Sequence, residues 1–133
     1  MPRILSENDF EIRSSTIAGA GLGLFTRVPI RRGDTIGYYT GRVLTDADVE
    51  HEPYLSSLYL LWICKDHWIY GEGEGANHTR FINHDGRNPN LELIVSTRWK
   101  TARFSALCAL APGAELFFDY GEDYWDAIGY APQ

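Results

Sequence analysis

Short segments in which apolar and polar residues alternate, each closed by a turn signal, run the length of this chain and leave little room for helix. A period of two sends successive side chains to opposite faces, the pattern of a half-buried strand. The segments are Phe10 to Arg13, Leu24 to Val28, Thr35 to Val43, Leu58 to Ile63, Trp68 to Tyr70, Leu91 to Thr97, Ala102 to Ala109 and Leu116 to Phe118. Between them Arg31-Arg32-Gly33-Asp34, Lys65-Asp66-His67 and Ala111-Pro112-Gly113 read as turns. Thr45 is placed to cap one short helix over Asp46 to Glu50, and another turn follows Asp123. The pattern predicts a mainly β fold of several small sheets. With 133 residues, no repeat and no linker, one domain over 1–133 is expected.

Composition narrows the function classes. A net charge of −6 argues against direct nucleic-acid binding, which draws on a Lys/Arg patch, and suits a Lys/Arg-rich peptide partner. The longest apolar run, Leu58 to Cys64, falls far short of the ~18 residues that cross a bilayer. Arg3, Glu7, Asp9 and Glu11 interrupt any leader-like start, so an intracellular protein without membrane attachment is expected. Cys64 and Cys108 lack the paired spacing of a zinc site and read as buried, reduced thiols in apolar strands. The four histidines show no ligand spacing either, so no metal is expected.

Three blocks carry chemistry-bearing residues: Gly19-Ala20-Gly21-Leu22-Gly23-Leu24-Phe25; R-F-I-N-H-D-G-R-N-P-N over Arg80 to Asn90; and E-L-F-F-D-Y-G-E-D-Y-W over Glu115 to Trp125. Gly21 and Gly23 alone fit a plain β-turn, or a backbone that a small zwitterion can approach closely. Asn83 and His84 alone fit turn-stabilising hydrogen bonds. Tyr120 alone fits a packed aromatic with a satisfied hydroxyl.

In this order and at this spacing, the three blocks resemble the signature motifs of SET-domain protein lysine methyltransferases, over a motif-bearing core of residues 10–125. The resemblance implies the SET fold, in which the last segment threads in a knot-like way beneath a loop and brings Tyr120 beside Asn83. It implies S-adenosylmethionine as cofactor, its methionine portion cradled by Gly21, Leu22 and Gly23. By the same resemblance Asn83 and His84 hold the amino group and adenine edge, while Arg80 and Phe81 help with the carboxylate and adenine face. Tyr120 would be the catalytic tyrosine and Tyr59 a wall of the lysine channel, and Trp125 would close over the adenine. Phe118 would set product multiplicity, with a phenylalanine leaving room for di- and trimethyl-lysine; Leu93 stands where some relatives place that switch. A histone tail is the implied substrate, which would place the protein in the nucleus, and similarity to minimal viral enzymes raises a homodimer.

The chain departs from the family pattern in two places. Asp85 follows His84, and Gly86, Arg87 and Asn88 lengthen the loop before Pro89-Asn90 by one residue. Tyr38-Tyr39-Thr40-Gly41-Arg42 replaces an acidic motif, and the Gly71 to Gly75 loop, with Glu72 and Glu74, is expected beside the peptide groove. Two other readings stand beside the enzyme: a catalytically weak SET-like module that binds cofactor or peptide, and a hydrolase pairing carboxylates among Glu115, Asp119, Glu122 and Asp123.

Overall fold

The computed structural model describes residues 3–57, 59–85 and 87–119. Ten strands lie among them: β1 (Phe10–Ser14), β2 (Leu22–Thr26), β3 (Thr35–Tyr38), β4 (Arg42–Leu44), β5 (Leu60–Cys64), β6 (His67–Tyr70), β7 (Asn83–His84), β8 (Leu91–Ser96), β9 (Thr101–Ala106) and β10 (Phe117–Asp119). They form three sheets, with orders β1-β2, β3-β9-β8-β10-β7 and β4-β6-β5. The alternation seen in the sequence is the cause. In β9, Ala102, Phe104 and Ala106 are buried while Arg103 on the opposite face bonds Thr35 Oγ1. Phe104 is opposed by Leu93 of β8 and joins a core with Leu24, Ile36, Leu61, Leu91 and Leu116. Burying each such side chain is worth about 1.5–3 kcal/mol, so the small sheets are held by this shared core more than by their own short ladders.

Several expected segments differ in extent. The stretch Thr35 to Val43 is two strands, because a Cβ on Gly41 would overlap the Tyr70 carbonyl and the chain crosses there from one sheet to another. The segment expected from Leu24 to Val28 begins at Leu22 and stops at Thr26, whose Oγ1 accepts from Val28 N–H at 3.2 Å in a side-chain turn. β9 ends at Ala106, so Cys108 is exposed rather than buried in a strand, and Cys64 is only partly buried. The expected helix is a 3-10 turn over Asp48–Glu50, with Thr45 and Asp48 exchanging side-chain-to-backbone bonds of 3.2 and 2.9 Å.

β10 enters the large sheet between two strands that precede it in sequence. It runs parallel to both, with Phe117 opposite Asn83, Phe118 opposite Leu91 and Asp119 opposite Glu92. Three residues give few ladder bonds, and a side chain supplies the rest. Asn90 Nδ2 donates to the Glu115 carbonyl at 2.8 Å, and Asn90 Oδ1 accepts from Phe117 N–H at 2.8 Å. The knot-like threading expected beyond this strand involves Tyr120 onward, which lies outside the described residues.

Asn90→Ala strands the Phe117 N–H of β10 and the Glu115 carbonyl just ahead of it, each a loss of about 1–3 kcal/mol when left unsatisfied. Urea denaturation is expected to show a drop of roughly 2 kcal/mol or more, with Asn90→Asp between it and wild type because the Phe117 bond survives. An Asn90→Ala protein as stable as wild type would exclude this role.

Candidate active site

A cleft of about 500 Å³ opens beside β10, lined by Ala20, Gly21, Leu22, Tyr39, Tyr59, Thr79, Arg80, Phe81, Ile82, Asn83, His84, Phe104 and Phe118. Of the residues singled out from sequence, Gly21, Leu22, Tyr59, Arg80, Phe81, Asn83, His84 and Phe118 all line it. Tyr120 and Trp125 lie outside the described residues. Gly23 is buried one residue beyond the cleft lining. A larger groove of about 690 Å³ lies against β1, sharing Arg80 and Phe81 and taking in Glu7, Glu11 and Gly73. The acidic loop therefore contributes Gly73 to this neighbouring groove rather than to the cleft. The cleft, not the larger groove, gathers the chemistry-bearing residues.

Its floor is aromatic. Tyr39 meets Phe104 edge-on at 6.3 Å, Phe104 meets Phe118 at 5.0 Å and Phe118 meets His84 at 6.0 Å. Edge-to-face packing of this kind fixes ring orientation as well as adding stability. Across the floor, the Arg80 guanidinium stands over the rings of Phe81 at 4.5 Å and Tyr59 at 5.1 Å. Its Nε is buried and meets no hydrogen-bond partner among the described residues. Tyr59 is held from behind, its carbonyl accepting from Tyr39 Oη at 2.7 Å and Gly71 N–H at 2.9 Å. Asp119 Oδ1 stands 3.9 Å from His84 Nε2 at the rim.

Two residues that sequence reasoning passed over shape this arrangement. Asn77 caps the 3-10 turn His78–Phe81, its Oδ1 accepting from Thr79 N–H at 3.1 Å while Nδ2 donates to the Tyr38 carbonyl at 2.8 Å. That cap aims Arg80 and Phe81, and Asn before a short helical turn is the signal that could have found it. Tyr39 is the second, a floor residue whose partner Tyr59 is distant in sequence.

The glycine loop is tied down by Glu115. Its Oε1 accepts from Thr16 N–H at 2.8 Å and Thr16 Oγ1 at 2.6 Å; its Oε2 accepts from Ser15 Oγ at 2.6 Å and Asn83 Nδ2 at 3.4 Å. Burial alone would raise the carboxyl pKa, but these donors outweigh it and hold Glu115 below its ordinary value. Gly21 and Gly23 serve this loop for different reasons. Gly21 adopts φ +77°, which an L side chain resists, with open space where its Cβ would be. At Gly23 a Cβ would overlap Glu115 Oε2. A carboxylate so engaged has no lone pair left for acid–base work, which removes Glu115 from the hydrolase reading.

Comparison with known proteins decides the family. The SET domain profile matches residues 21–121. The chain belongs to the SET domain family. As a SET domain it is similar to the histone-lysine N-methyltransferase EZH2 of Chaetomium thermophilum, 29% identical over 83% of this chain and 8% of that protein. It is 30% identical to the histone-lysine N-methyltransferase MEDEA of Arabidopsis thaliana over 75% of this chain and 15% of that one. The human H3 lysine-36 specific histone-lysine N-methyltransferase matches at 28% over 75% of this chain and 4% of its own. Among solved structures, ctPRC2 in an autoinhibited conformation bound to S-adenosylmethionine aligns with a TM-score of 0.72 at 25% identity, over 86% of this chain and 15% of that chain. This SET domain thus spans a small fraction of the length of these relatives.

The two glycines are separable by experiment. Gly21→Ala should cost about 1–2 kcal/mol from backbone strain alone. Gly23→Ala should cost about 1–3 kcal/mol by overpacking and also dislodge Glu115. Because the Glu115 carboxyl is depressed in the folded state, its contribution is present above its unfolded pKa and lost as pH falls through the folded value. The gap between wild type and Gly23→Ala should therefore narrow as denaturation curves are taken from about pH 7 to about pH 3. The Gly21→Ala gap should stay constant, and parallel behaviour of the two variants would refute the assignment.

Proposed function

We propose that this SET domain is the catalytic module of an S-adenosylmethionine-dependent protein lysine N-methyltransferase that acts on a Lys/Arg-rich peptide, a histone tail, in the nucleus. The observation that carries the reading is the single cleft joining the glycine loop, Asn83 and Arg80 to the aromatic floor. The names of the similar histone-lysine N-methyltransferases support it.

The residues present fit the cofactor. A cleft of about 500 Å³ lies within the range usual for small-ligand sites. Asn83 commits Nδ2 to the Leu22 carbonyl and Glu115, which leaves Oδ1 as an acceptor suited to an ammonium. Arg80, a guanidinium at the cleft wall, suits a carboxylate. Phe81 offers an apolar face to a purine. When bound, S-adenosylmethionine supplies a methyl carbon made electrophilic by its sulfonium.

The chain's own contribution is alignment and desolvation. Aromatic walls at Tyr59 and Phe118 exclude water from a lysine stem, and burial of the amine in such a channel lowers its pKa, favouring the neutral nucleophile. Alignment of two reactants in a fixed geometry can supply several kcal/mol of barrier lowering. Tyr120 would complete the channel with its hydroxyl, oriented to polarised C–H groups. Phe118, at the floor, leaves the volume a second and third methyl need, so di- and trimethyl-lysine are the expected products.

Incubation of a histone mixture with the protein and S-adenosylmethionine, followed by mass spectrometry, is expected to show methylated lysine. Tyr120→Phe should lower turnover at least about tenfold with cofactor affinity largely retained. Unmodified histones, or a Tyr120→Phe enzyme turning over like wild type, would refute the reading or the role.

The number of methyl groups added tests Phe118. A tyrosine hydroxyl there would hold a water in the space needed by a methylated amine, and displacing an ordered water without replacing its bonds is unfavourable. Phe118→Tyr should shift products toward monomethyl-lysine while preserving the first transfer. Unchanged product ratios would move the role elsewhere, with Leu93 the next residue to test.

A further inference from the structure

The carboxylate that ties down the glycine loop also decides which way the Asn83 amide faces. Asn83 Nδ2 lies 3.0 Å from the Leu22 carbonyl oxygen and 3.4 Å from Glu115 Oε2. Both are acceptors without a proton, so the side of the amide that meets them must be the NH2 group, whichever atom labels are drawn. The amide is planar and its two heteroatoms diverge from one carbon, so fixing Nδ2 inward turns Oδ1 away from those partners. Asn83 lines the cleft. We infer that Glu115 is a positioning residue that sets the hydrogen-bond polarity of the cofactor site, holding Asn83 so that an acceptor faces the ligand's amino group.

This inference rests on the cofactor reading above and adds to it a residue that touches no ligand. The arrangement is specific to a carboxylate. Glutamine at 115 would exchange one acceptor oxygen for an NH2. On the Oε1 side that NH2 would meet the Thr16 backbone N–H, which cannot rotate away, so it settles on the Oε2 side. There it faces Ser15 Oγ and Asn83 Nδ2. The Ser15 hydroxyl can turn and accept, but the Asn83 NH2 cannot. The Leu22 carbonyl still requires a donor there, so the Asn83 amide cannot satisfy both neighbours, and any shift or rotation that eases the clash with the new NH2 moves Oδ1 from its place in the cleft. The ligand's ammonium, which has only donors of its own, then loses a well-placed acceptor.

The test is calorimetric titration of wild type and Glu115→Gln with two probes. One is S-adenosylhomocysteine, which carries the amino group; the other is its deaminated analogue, with hydrogen in its place. Glu115→Gln is expected to weaken S-adenosylhomocysteine by about tenfold or more, the size of one lost charge-assisted hydrogen bond, and the deaminated analogue by less than about threefold. Equal losses for the two probes would reduce Glu115 to a scaffold residue, and no loss for either would remove it from the site. Wild type that binds neither probe would overturn the cofactor reading itself, a result separate from either of these.

If Glu115→Gln does not fold, Asn83→Asp asks the same question from the other side. An aspartate sets an acceptor against the Leu22 carbonyl and the Glu115 carboxylate, so its folded-state pKa is raised and its stability contribution is lost as pH rises. Relative to wild type without ligand, Asn83→Asp should be distinctly less stable at about pH 8 than at about pH 4. A difference that does not change with pH would show that no donor is required at that position and would overturn the inference.

Discussion

A strand of three residues that must lie between two others gains few backbone bonds, yet β10 holds this position and the cleft takes its shape from it. Asn90 resolves the difficulty by acting as a surrogate for strand backbone, donating on one side and accepting on the other. With β10 fixed, Glu115 arrives just ahead of it under the glycine loop, and Phe118 arrives within it at the cleft floor. Distances of a few ångströms between Ser15, Asn83 and Glu115 follow from one parallel register. Loss of that register would separate the loop, the Asn-His pair and the floor together.

Two buried carboxylates in this acidic chain are stabilised by different chemistry. Asp34 is paired with Arg3 at 2.8 Å and accepts from the Arg31 backbone, which brings its pKa down to about 2 against the opposing effect of burial. Among the described residues Glu115 is given only neutral donors: two hydroxyls, one backbone N–H and one amide. A guanidinium at Glu115 would bring positive charge beneath the glycine loop, whereas neutral donors satisfy the carboxylate without doing so.

Much of the fold was legible because strand alternation and turn residues are local signals. Strands β8 and β9 and the Lys65-Asp66-His67 turn follow from them. Boundaries were less legible where tertiary contact decides. Nothing in Tyr39-Thr40-Gly41 announces that the chain must leave one sheet and pass against the Tyr70 backbone, and nothing local to Cys108 shows that β9 has already ended. In the site, motif residues such as Asn83, Arg80 and Phe118 could be read from their sequence neighbours. The reason for Gly23 could not, because the group that forbids a side chain there, Glu115, lies at the other end of the chain. Asn77 escaped because its work is done through Thr79 and Tyr38 rather than on the cleft directly, and Tyr39 because the contacts that make it a floor residue, with Phe104 and Tyr59, are distant in sequence.

The bonds from Ser15 and Thr16 to Glu115 join residues 100 and 99 positions apart. Closing so long a loop costs chain entropy before any contact compensates for it, and folds governed by such pairings are slow to reach the native state. The same geography makes the cleft a property of the whole chain, since no local hairpin can present both of its walls. A small molecule bound there would oppose global unfolding rather than local fraying, and hydrogen exchange would register it in strands far from the ligand.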